Sequence, residues 1–109
     1  MQEVKDEVYM SLTINDIGSK VGDKKEFSLV DVESVHTKFG KRWRISLKDS
    51  DGFRWYYWAS EKEFAEIFKQ LRFSNELLKP KIIVFIKEAF NYYNNQKKLK
   101  LGIEVVIWI

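Results

Sequence analysis

Cysteine is absent from the chain, and histidine occurs once, as His36. Without thiols there is neither a disulfide framework nor a thiolate metal site, and one histidine cannot supply a zinc site by itself. Phosphate loops, nucleophile elbows and clusters with metal-ligand spacing are also absent. The sequence therefore predicts no metal, no cofactor and no catalytic residues, and we expect a binding protein rather than an enzyme.

Long apolar runs are lacking as well. No segment approaches the about 20 apolar residues of a membrane span, and the charged start of the chain lacks the apolar core of a signal peptide. We therefore expect a cytoplasmic protein without a membrane partner. The 109 residues, of which 45% are hydrophobic, suffice for one small domain with a single core.

Charge is distributed unevenly along the chain. Residues 1–33 carry four lysines against eight acids, whereas residues 34–109 carry fifteen basic residues against eight acids. The net charge is +3, but the second part alone is strongly basic. A polyanion is the natural partner of such a surface.

The stretch Arg42 to Ser60, called the aromatic hairpin below, predicts two strands joined by a tight turn. Its first arm alternates apolar and polar residues with period two, and its second arm is mostly aromatic. A two-residue loop, Asp51-Gly52, would place Arg54 with the apolar residues. A three-residue loop, Ser50-Asp51-Gly52, keeps it with the other arginines, provided that Gly52 is left-handed.

We favour the three-residue loop, because a slip of one residue would exchange the two faces of the hairpin. It predicts a core face made of Trp43, Ile45, Leu47, Phe53, Trp55, Tyr57 and Ala59. The opposite face, called the arginine–aromatic face below, is made of Arg42, Arg44, Ser46, Lys48, Arg54, Tyr56 and Trp58. Guanidinium groups beside exposed rings are typical of surfaces that bind single-stranded nucleic acid.

The other elements follow from periodicity and turn residues. Residues 1–11 predict a flexible lead-in, and Leu12 to Gly18 a short turn that tucks apolar residues under the domain. Parity changes in Phe27 to Thr37 predict a bulged strand, and a turn follows at Thr37 to Lys41. Ser60 and Glu63 form a capping box ahead of a helix with Phe64, Ile67, Phe68 and Leu71 on one side.

The C-terminal part predicts a hairpin. Phe73 to Leu78 predicts a turn or short helix that Pro80 ends, and Lys81 to Glu88 a buried strand. Ala89 to Lys97 predicts a long loop, and Lys98 to Ile109 a last, alternating strand. The fold class is therefore mainly β, in the order β-β-β-α-β-β. This is the layout of the five-stranded OB-fold barrel, which we expect over residues 12–109.

At the level of residues the chain resembles the OB-fold domains of the replication protein A and archaeal single-stranded DNA-binding family. The similar pieces are Leu12 to Ile17, Ile45 to Gly52 and Arg54 to Trp58, within a resemblance that spans roughly residues 12–107. It implies that Arg54 and Trp58, a basic residue and an aromatic four apart on the third strand, contact the bound strand. It also implies a second stacking ring near the loop between strands 4 and 5, where Phe90, Tyr92 and Tyr93 are candidates.

The predicted function is non-catalytic binding of single-stranded nucleic acid with low sequence specificity, with DNA expected ahead of RNA, in replication or repair of archaeal or viral type. The expected binding residues lie on the arginine–aromatic face and its two flanking loops. They are Lys38, Phe39, Lys41, Arg42, Arg44, Ser46, Lys48, Arg54, Tyr56, Trp58, Phe90, Tyr92, Tyr93, Lys97, Lys98 and Lys100.

The same residues also have structural explanations that do not involve nucleic acid. The N-terminal segment or a second subunit could cover Tyr56 and Trp58, and the loop aromatics could cap the end of the barrel. Asp49 and Asp51 are explained by the turn rather than by calcium, since no completing glutamate follows. The alternative function is a protein-interaction or assembly module, in which a partner or second copy docks through Val106, Trp108 and Ile109.

Overall fold

The computed structural model describes residues 9–71 and 80–106 of the chain. Within these ranges the protein is mainly β, as the sequence predicts. It has six strands and two helices, however, where the sequence pattern predicts five strands and one helix. Their bounds are β1 Met10–Ser11, α1 Ile14–Ile17, β2 Lys24–Thr37, β3 Gly40–Lys48, β4 Arg54–Ala59, α2 Glu61–Leu71, β5 Lys81–Asn91 and β6 Gln96–Val106.

The six strands form one curled, half-barrel sheet in the order β1-β4-β3-β2-β5-β6. β1 runs parallel to β4, and all other described pairs are antiparallel. No pairing between β4 and β6 occurs in the described ranges. Helix α2 contacts β3, β4 and β6, and the Tyr57 hydroxyl lies 3.3 Å from the Leu101 carbonyl oxygen. The curled sheet therefore has a gap between β4 and β6, which a side chain and a helix bridge.

Strand β2 belongs to both halves of the sheet. Residues 24–28 pair with β5, and residues 28–37 pair with β3. The β2–β3 register shifts between Leu29 and Asp31, so Val30 is an extra residue and is 42% exposed. A bulge of this kind bends a strand and increases its twist. The predicted bulge is confirmed, although the strand begins three residues earlier than its apolar pattern does.

The core consists of alternate residues from the long strands together with one residue of α2. Each buried aliphatic or aromatic side chain contributes about 1.5 to 3 kcal/mol relative to an exposed one. The cluster is formed by Phe27, Ile45, Leu47, Tyr57, Ala59, Ile67, Ile82, Val84 and Val105. Phe53 was predicted here and is 65% exposed, because it lies in the turn, beyond the last pair of the β3–β4 ladder.

Helix α2 packs against the hairpin's core face as its apolar stripe predicts. Ile67 is buried, and Phe64 stacks on Trp43 with ring centroids 3.8 Å apart. The Ser60 hydroxyl accepts from the Glu63 amide at 3.2 Å, which is half of the predicted capping box. The Glu63 carboxylate instead accepts from the Tyr57 hydroxyl at 2.8 Å.

Two differences from the predicted layout concern the ends of elements. Met10–Ser11, predicted as part of a flexible lead-in, pairs with Trp55 and Tyr56 as β1. The predicted loop at Ala89 to Lys97 is wrong in length, because β5 reaches Asn91 and β6 starts at Gln96. The predictions for residues 1–8, 72–79 and 107–109 lie outside the described ranges. Within those ranges no helix has the length and apolar character needed to cross a membrane.

Candidate nucleic-acid interface

The aromatic hairpin has the predicted three-residue turn. The β3–β4 ladder ends at Lys48 and Arg54, the Asp49 amide donates to the Phe53 carbonyl at 2.9 Å, and Gly52 has a φ of +89°. Since pairing fixes which side chains share a face, the two predicted faces are confirmed for the strand residues. Trp58 lies opposite Arg44, with Tyr56 opposite Ser46 on the same face.

Asp49 fixes this turn from inside. Its Oδ1 accepts from the amides of Asp51 and Phe53, both at 2.9 Å, and its Oδ2 accepts from Trp55 Nε1 at 3.0 Å. Burial opposes ionisation of the carboxyl, but these hydrogen bonds and Lys25, at 3.5 Å, outweigh it and lower the pKa of Asp49 below its ordinary value. Asp49 is a turn residue, as predicted.

Trp58 is the exposed ring of the arginine–aromatic face. It is 40% exposed, and its indole Nε1 donates to the Ser11 hydroxyl at 3.1 Å. Tyr56 meets it edge to face, with ring centroids 6.3 Å apart. The indole is therefore held in place along one edge while much of its surface stays open to solvent.

Arg44, a predicted binding residue, has several partners within the protein. Its guanidinium forms an ion pair with Glu33 of β2, and it lies 4.6 Å from the Tyr56 ring centroid and 5.8 Å from that of Trp58. Its Nε atom is buried without a hydrogen-bond partner. Arg44 therefore supports the two rings by cation–π contact, and its charge is already matched by Glu33.

The segment Tyr9 to Ser11, called the arm below, covers the other aromatic ring. Tyr9 stacks on Tyr56 with centroids 4.5 Å apart and 8° between the ring planes. Arg54 donates to the Tyr9 hydroxyl at 3.2 Å and lies over its ring. The arm thus occupies one face of Tyr56, whereas Trp58 remains accessible.

Ser46, predicted on this face, is buried, and Lys41, predicted beside the β2–β3 turn, has an ion-pair partner. Ser46 is 8% exposed; it lies opposite Tyr56 on β3, which has β4 on one side and β2 on the other. Lys41 lies on the side of Trp43, 4.9 Å from its ring centroid, and pairs with Glu61 at 3.6 Å. Because side chains alternate along β3, Lys41 lies on the opposite face from Arg42. Arg42 and Lys48 are therefore the exposed cations that β3 contributes to the arginine–aromatic face.

The β2–β3 turn presents an aromatic ring and a lysine. Phe39 is 77% exposed, and Lys38 Nζ lies 5.1 Å from its ring centroid. Thr37 stabilises the turn, since its hydroxyl donates to the Gly40 carbonyl at 2.8 Å and accepts from the Phe39 amide at 3.2 Å. Both Lys38 and Phe39 are therefore held out from the sheet by a defined turn.

The end of the β5–β6 hairpin carries three exposed rings. Phe90, Tyr92 and Tyr93 are 44%, 87% and 102% exposed, and Phe90 meets Tyr92 edge to face at 4.9 Å. The amides of Tyr93 and Gln96 bond to the side chains of Asn91 and Asn94, so asparagines form the turn. Rings that sealed the end of a barrel would be buried, whereas these rings are exposed.

The lysines of β6 differ in their surroundings. Lys97 pairs with Glu88 at 3.6 Å, whereas Lys98 and Lys100 have no described carboxylate within 4.0 Å. Lys100 lines a cleft at the gap between β4 and β6 together with Arg42 and Trp58. The structure thus brings together one end of the arginine–aromatic face and one lysine of β6.

Sequence patterns did not reveal several residues of this region. Tyr9 and Ser11 lie in a charged segment without periodicity, and the Glu33 pairing depends on the register that the bulge sets. Lys87, which lies opposite Lys100, reads as an ordinary surface residue. Only the alternation of β5 could have placed Lys87 on the same face as Lys100.

The described residues contain no group of three His, Asp or Glu side chains placed to hold a metal ion. Comparison with known proteins adds no relative: no protein-family model, curated protein or solved structure matches the chain. Val106 is the last described residue of the proposed assembly patch, and Trp108 and Ile109 lie outside the described ranges.

Proposed function

We propose that this protein binds single-stranded nucleic acid without catalysis, with Trp58 as the central stacking ring. The observation that carries the proposal is the environment of Trp58. Its ring is 40% exposed, it is fixed by the bond to Ser11, and it shares a cleft with Arg42 and Lys100. A fixed, accessible ring beside cations can stack on a base while the cations contact phosphates.

The flanking hairpin ends extend this surface in the proposal. Phe39 on one turn and Tyr92 and Tyr93 on the other are exposed, each with lysines nearby in the chain. Stacking on such rings does not discriminate strongly between bases, since every base has a flat face. We therefore propose binding of low sequence specificity, to single-stranded DNA first, in a replication or repair role.

The fold supports an OB-type barrel as part of the same proposal. The long strands and α2 follow one another in the order β-β-β-α-β-β, with the short β1 and α1 preceding them. The first long strand is bent and shared between two neighbours, and α2 bridges the gap in the sheet. Small OB barrels use the outer surface of their second and third strands for oligonucleotides, which here are β3 and β4.

A protein-interaction module is the second candidate, because the arm itself shows that β4 accepts an extended peptide. Met10 and Ser11 pair with Trp55 and Tyr56, and the Leu12 amide donates to the Tyr56 carbonyl at 2.9 Å. Strand addition at an exposed sheet edge is a common mode of peptide recognition. A peptide partner would compete with the arm for the same edge.

Intrinsic tryptophan fluorescence, titrated with a mixed-sequence oligonucleotide, tests the proposal. We expect strong quenching by single-stranded DNA and little by the duplex, since only unpaired bases can stack on Trp58. If about six cations meet phosphates, log affinity falls with log salt at a slope of about −4. A response to neither strand form would overturn the proposal and favour the interaction module. Titration with an RNA strand of the same sequence measures the preference for DNA over RNA.

A further inference from the structure

The cleft between β4 and β6 is a half-open cavity. Stacking of a base on the outer surface of Trp58 does not require this cavity. Its volume is about 710 Å³, within the roughly 300 to 1,000 Å³ of pockets that bind small ligands. Ile14 of α1 and Ile67 of α2 contribute apolar walls, and Trp58 and Phe85 contribute rings. The walls therefore suit a flat, partly apolar group.

Gly102 places the Phe85 ring in this cleft. The two residues lie opposite each other in the β5–β6 ladder. A Cβ atom at position 102 would lie 2.6 Å from Phe85 Cζ and 3.3 Å from Lys87 Cδ. Because glycine has no side chain, the ring and the lysine stem lie against the β6 backbone.

Lys87 and Lys100 form a pair of like charges at the rim. They lie directly opposite each other on β5 and β6, an arrangement that destabilises a sheet when nothing compensates it. Neither has a described carboxylate within 4.0 Å. Glu88, the neighbour of Lys87 in the chain, is paired with Lys97. A bound anion would relieve this repulsion.

The cleft has two acidic residues, Glu63 and Glu66, and each has a partner within the protein. Glu63 accepts from the Tyr57 hydroxyl at 2.8 Å, and Glu66 lies 3.7 Å from Lys69. Four cations line the same cavity, namely Arg42, Lys62, Lys87 and Lys100. The electrostatic balance therefore favours an anionic ligand over a neutral or cationic one.

We propose that this cleft is a nucleotide site, which holds a base against Trp58 and Phe85 and a terminal phosphate between Lys87 and Lys100. A phosphate monoester carries about −1.5 to −2 charges at neutral pH, which matches two lysines better than the single charge of a chain phosphate. The ligand is either the phosphorylated end of a bound strand or a free mononucleotide. The strand-end form depends on the proposed function and deepens it.

The test compares short single-stranded oligonucleotides that carry a 5′-phosphate, a 3′-phosphate or none, by fluorescence anisotropy with the wild-type chain. We expect a phosphate at one end to lower Kd about tenfold, the equivalent of one charge-assisted contact. Lys87→Ala and Lys100→Ala should abolish the difference. Lys81→Ala is the matched control, because Lys81 lies on the same face of β5 but pairs with Glu26.

Two additional measurements separate the sources of the ligand. The first is competition with the phosphorylated strand by thymidine monophosphate and by thymidine. If the monophosphate competes and thymidine does not, free nucleotides are ligands too. If neither competes, the ligand is the strand end. The melting temperature of Lys87→Ala in the absence of ligand should equal or exceed that of wild type, since a repulsion is removed. A folded variant with unchanged end preference overturns the assignment.

The outcomes also distinguish this site from the proposed function. Equal binding with and without a terminal phosphate overturns the cleft site and leaves strand binding intact. Competition by inorganic phosphate as strong as by the nucleotide overturns the base pocket. If no oligonucleotide binds, strand binding and the strand-end form are both overturned. A comparison of the direct binding of thymidine monophosphate with that of thymidine then decides whether the cleft binds a free nucleotide.

Discussion

Tyr9 lies flat on Tyr56, with ring centroids 4.5 Å apart and ring planes 8° from parallel. This is the geometry in which a nucleobase would stack on Tyr56 if the arm were absent. The same arm holds the neighbouring Trp58 ring at its indole nitrogen, through Ser11. The arm therefore covers one ring of the arginine–aromatic face and positions the other.

Removal of the Tyr9 ring should tighten strand binding. Aromatic pairs contribute about 0.5 to 1.5 kcal/mol, so Tyr9→Ala should lower Kd by a factor of about 2 to 10 as Tyr56 becomes available. Oligonucleotide titration of the variant measures this. Met10→Ala is the control, since Met10 is 61% exposed in the same arm. Weaker binding by Tyr9→Ala would mean that Tyr9 itself contacts the strand.

Arg42 and Lys41 are neighbours with opposite expected effects on salt dependence. Arg42 is exposed and lines the cleft, whereas Lys41 lies over Trp43 and pairs with Glu61. Arg42→Ala should make the plot of log affinity against log salt shallower by about 0.7, the loss of one phosphate contact. Lys41→Ala should leave the slope unchanged. The reverse result would place the strand on the helix side of the hairpin.

Tyr57 should make the protein sensitive to alkali. Burial, together with the hydrogen bond to Glu63, raises the pKa of the Tyr57 phenol far above its ordinary value. The unfolded chain loses this proton above about pH 10 while the folded chain keeps it, so the stabilisation present below that pH declines as pH rises. Urea midpoints at about pH 8 and about pH 11 should therefore differ less for Tyr57→Phe than for wild type.

Asp49 should make the protein sensitive to acid in the opposite sense. Its pKa is lowered in the folded state, so its stabilisation is complete above about pH 4 and is lost as pH falls toward the folded pKa. Asp49→Asn should cost about 1 to 3 kcal/mol at neutral pH and show a flatter acid dependence. Asp51→Asn, in the same turn but exposed, is the control. Equal acid profiles for wild type and Asp49→Asn would contradict this role.

The aromatic hairpin was predictable because its information is local. Alternation along Trp43 to Leu47 gives the two faces, and Gly52 selects the turn that sets the register. The bulge at Val30 was likewise visible as a change of parity in the strand's apolar residues. Local turn chemistry and period-two patterns sufficed for these parts.

The remaining features depend on contacts between distant residues. The pairing of Arg44 with Glu33 requires the register of a bulged strand, and the stacking of Tyr9 on Tyr56 joins residues 47 positions apart. Asparagine-rich sequence made Ala89 to Lys97 look like a loop, yet Phe90 and Lys97 pair across the extended hairpin. Strand propensity and ladder pairing outweighed the polar composition there.

The central claim is that Trp58 is a stacking ring while Trp43 and Trp55 hold the fold. Trp43 packs on Phe64, and Trp55 donates to Asp49, so their truncation to Ala should cost about 3 kcal/mol of stability or more. Ser11→Ala removes the hydrogen bond to Trp58 but keeps the indole ring. The variant therefore distinguishes the effect of the hydrogen bond on binding from the effect of the ring.

The decisive measurement is oligonucleotide affinity together with melting temperature for Trp58→Ala. We predict that the variant melts within a few degrees of wild type and binds single-stranded DNA about 1 to 3 kcal/mol more weakly, whereas Ser11→Ala, which keeps the ring but not its hydrogen bond, loses less affinity than Trp58→Ala. A folded Trp58→Ala variant that binds as tightly as wild type would contradict the account.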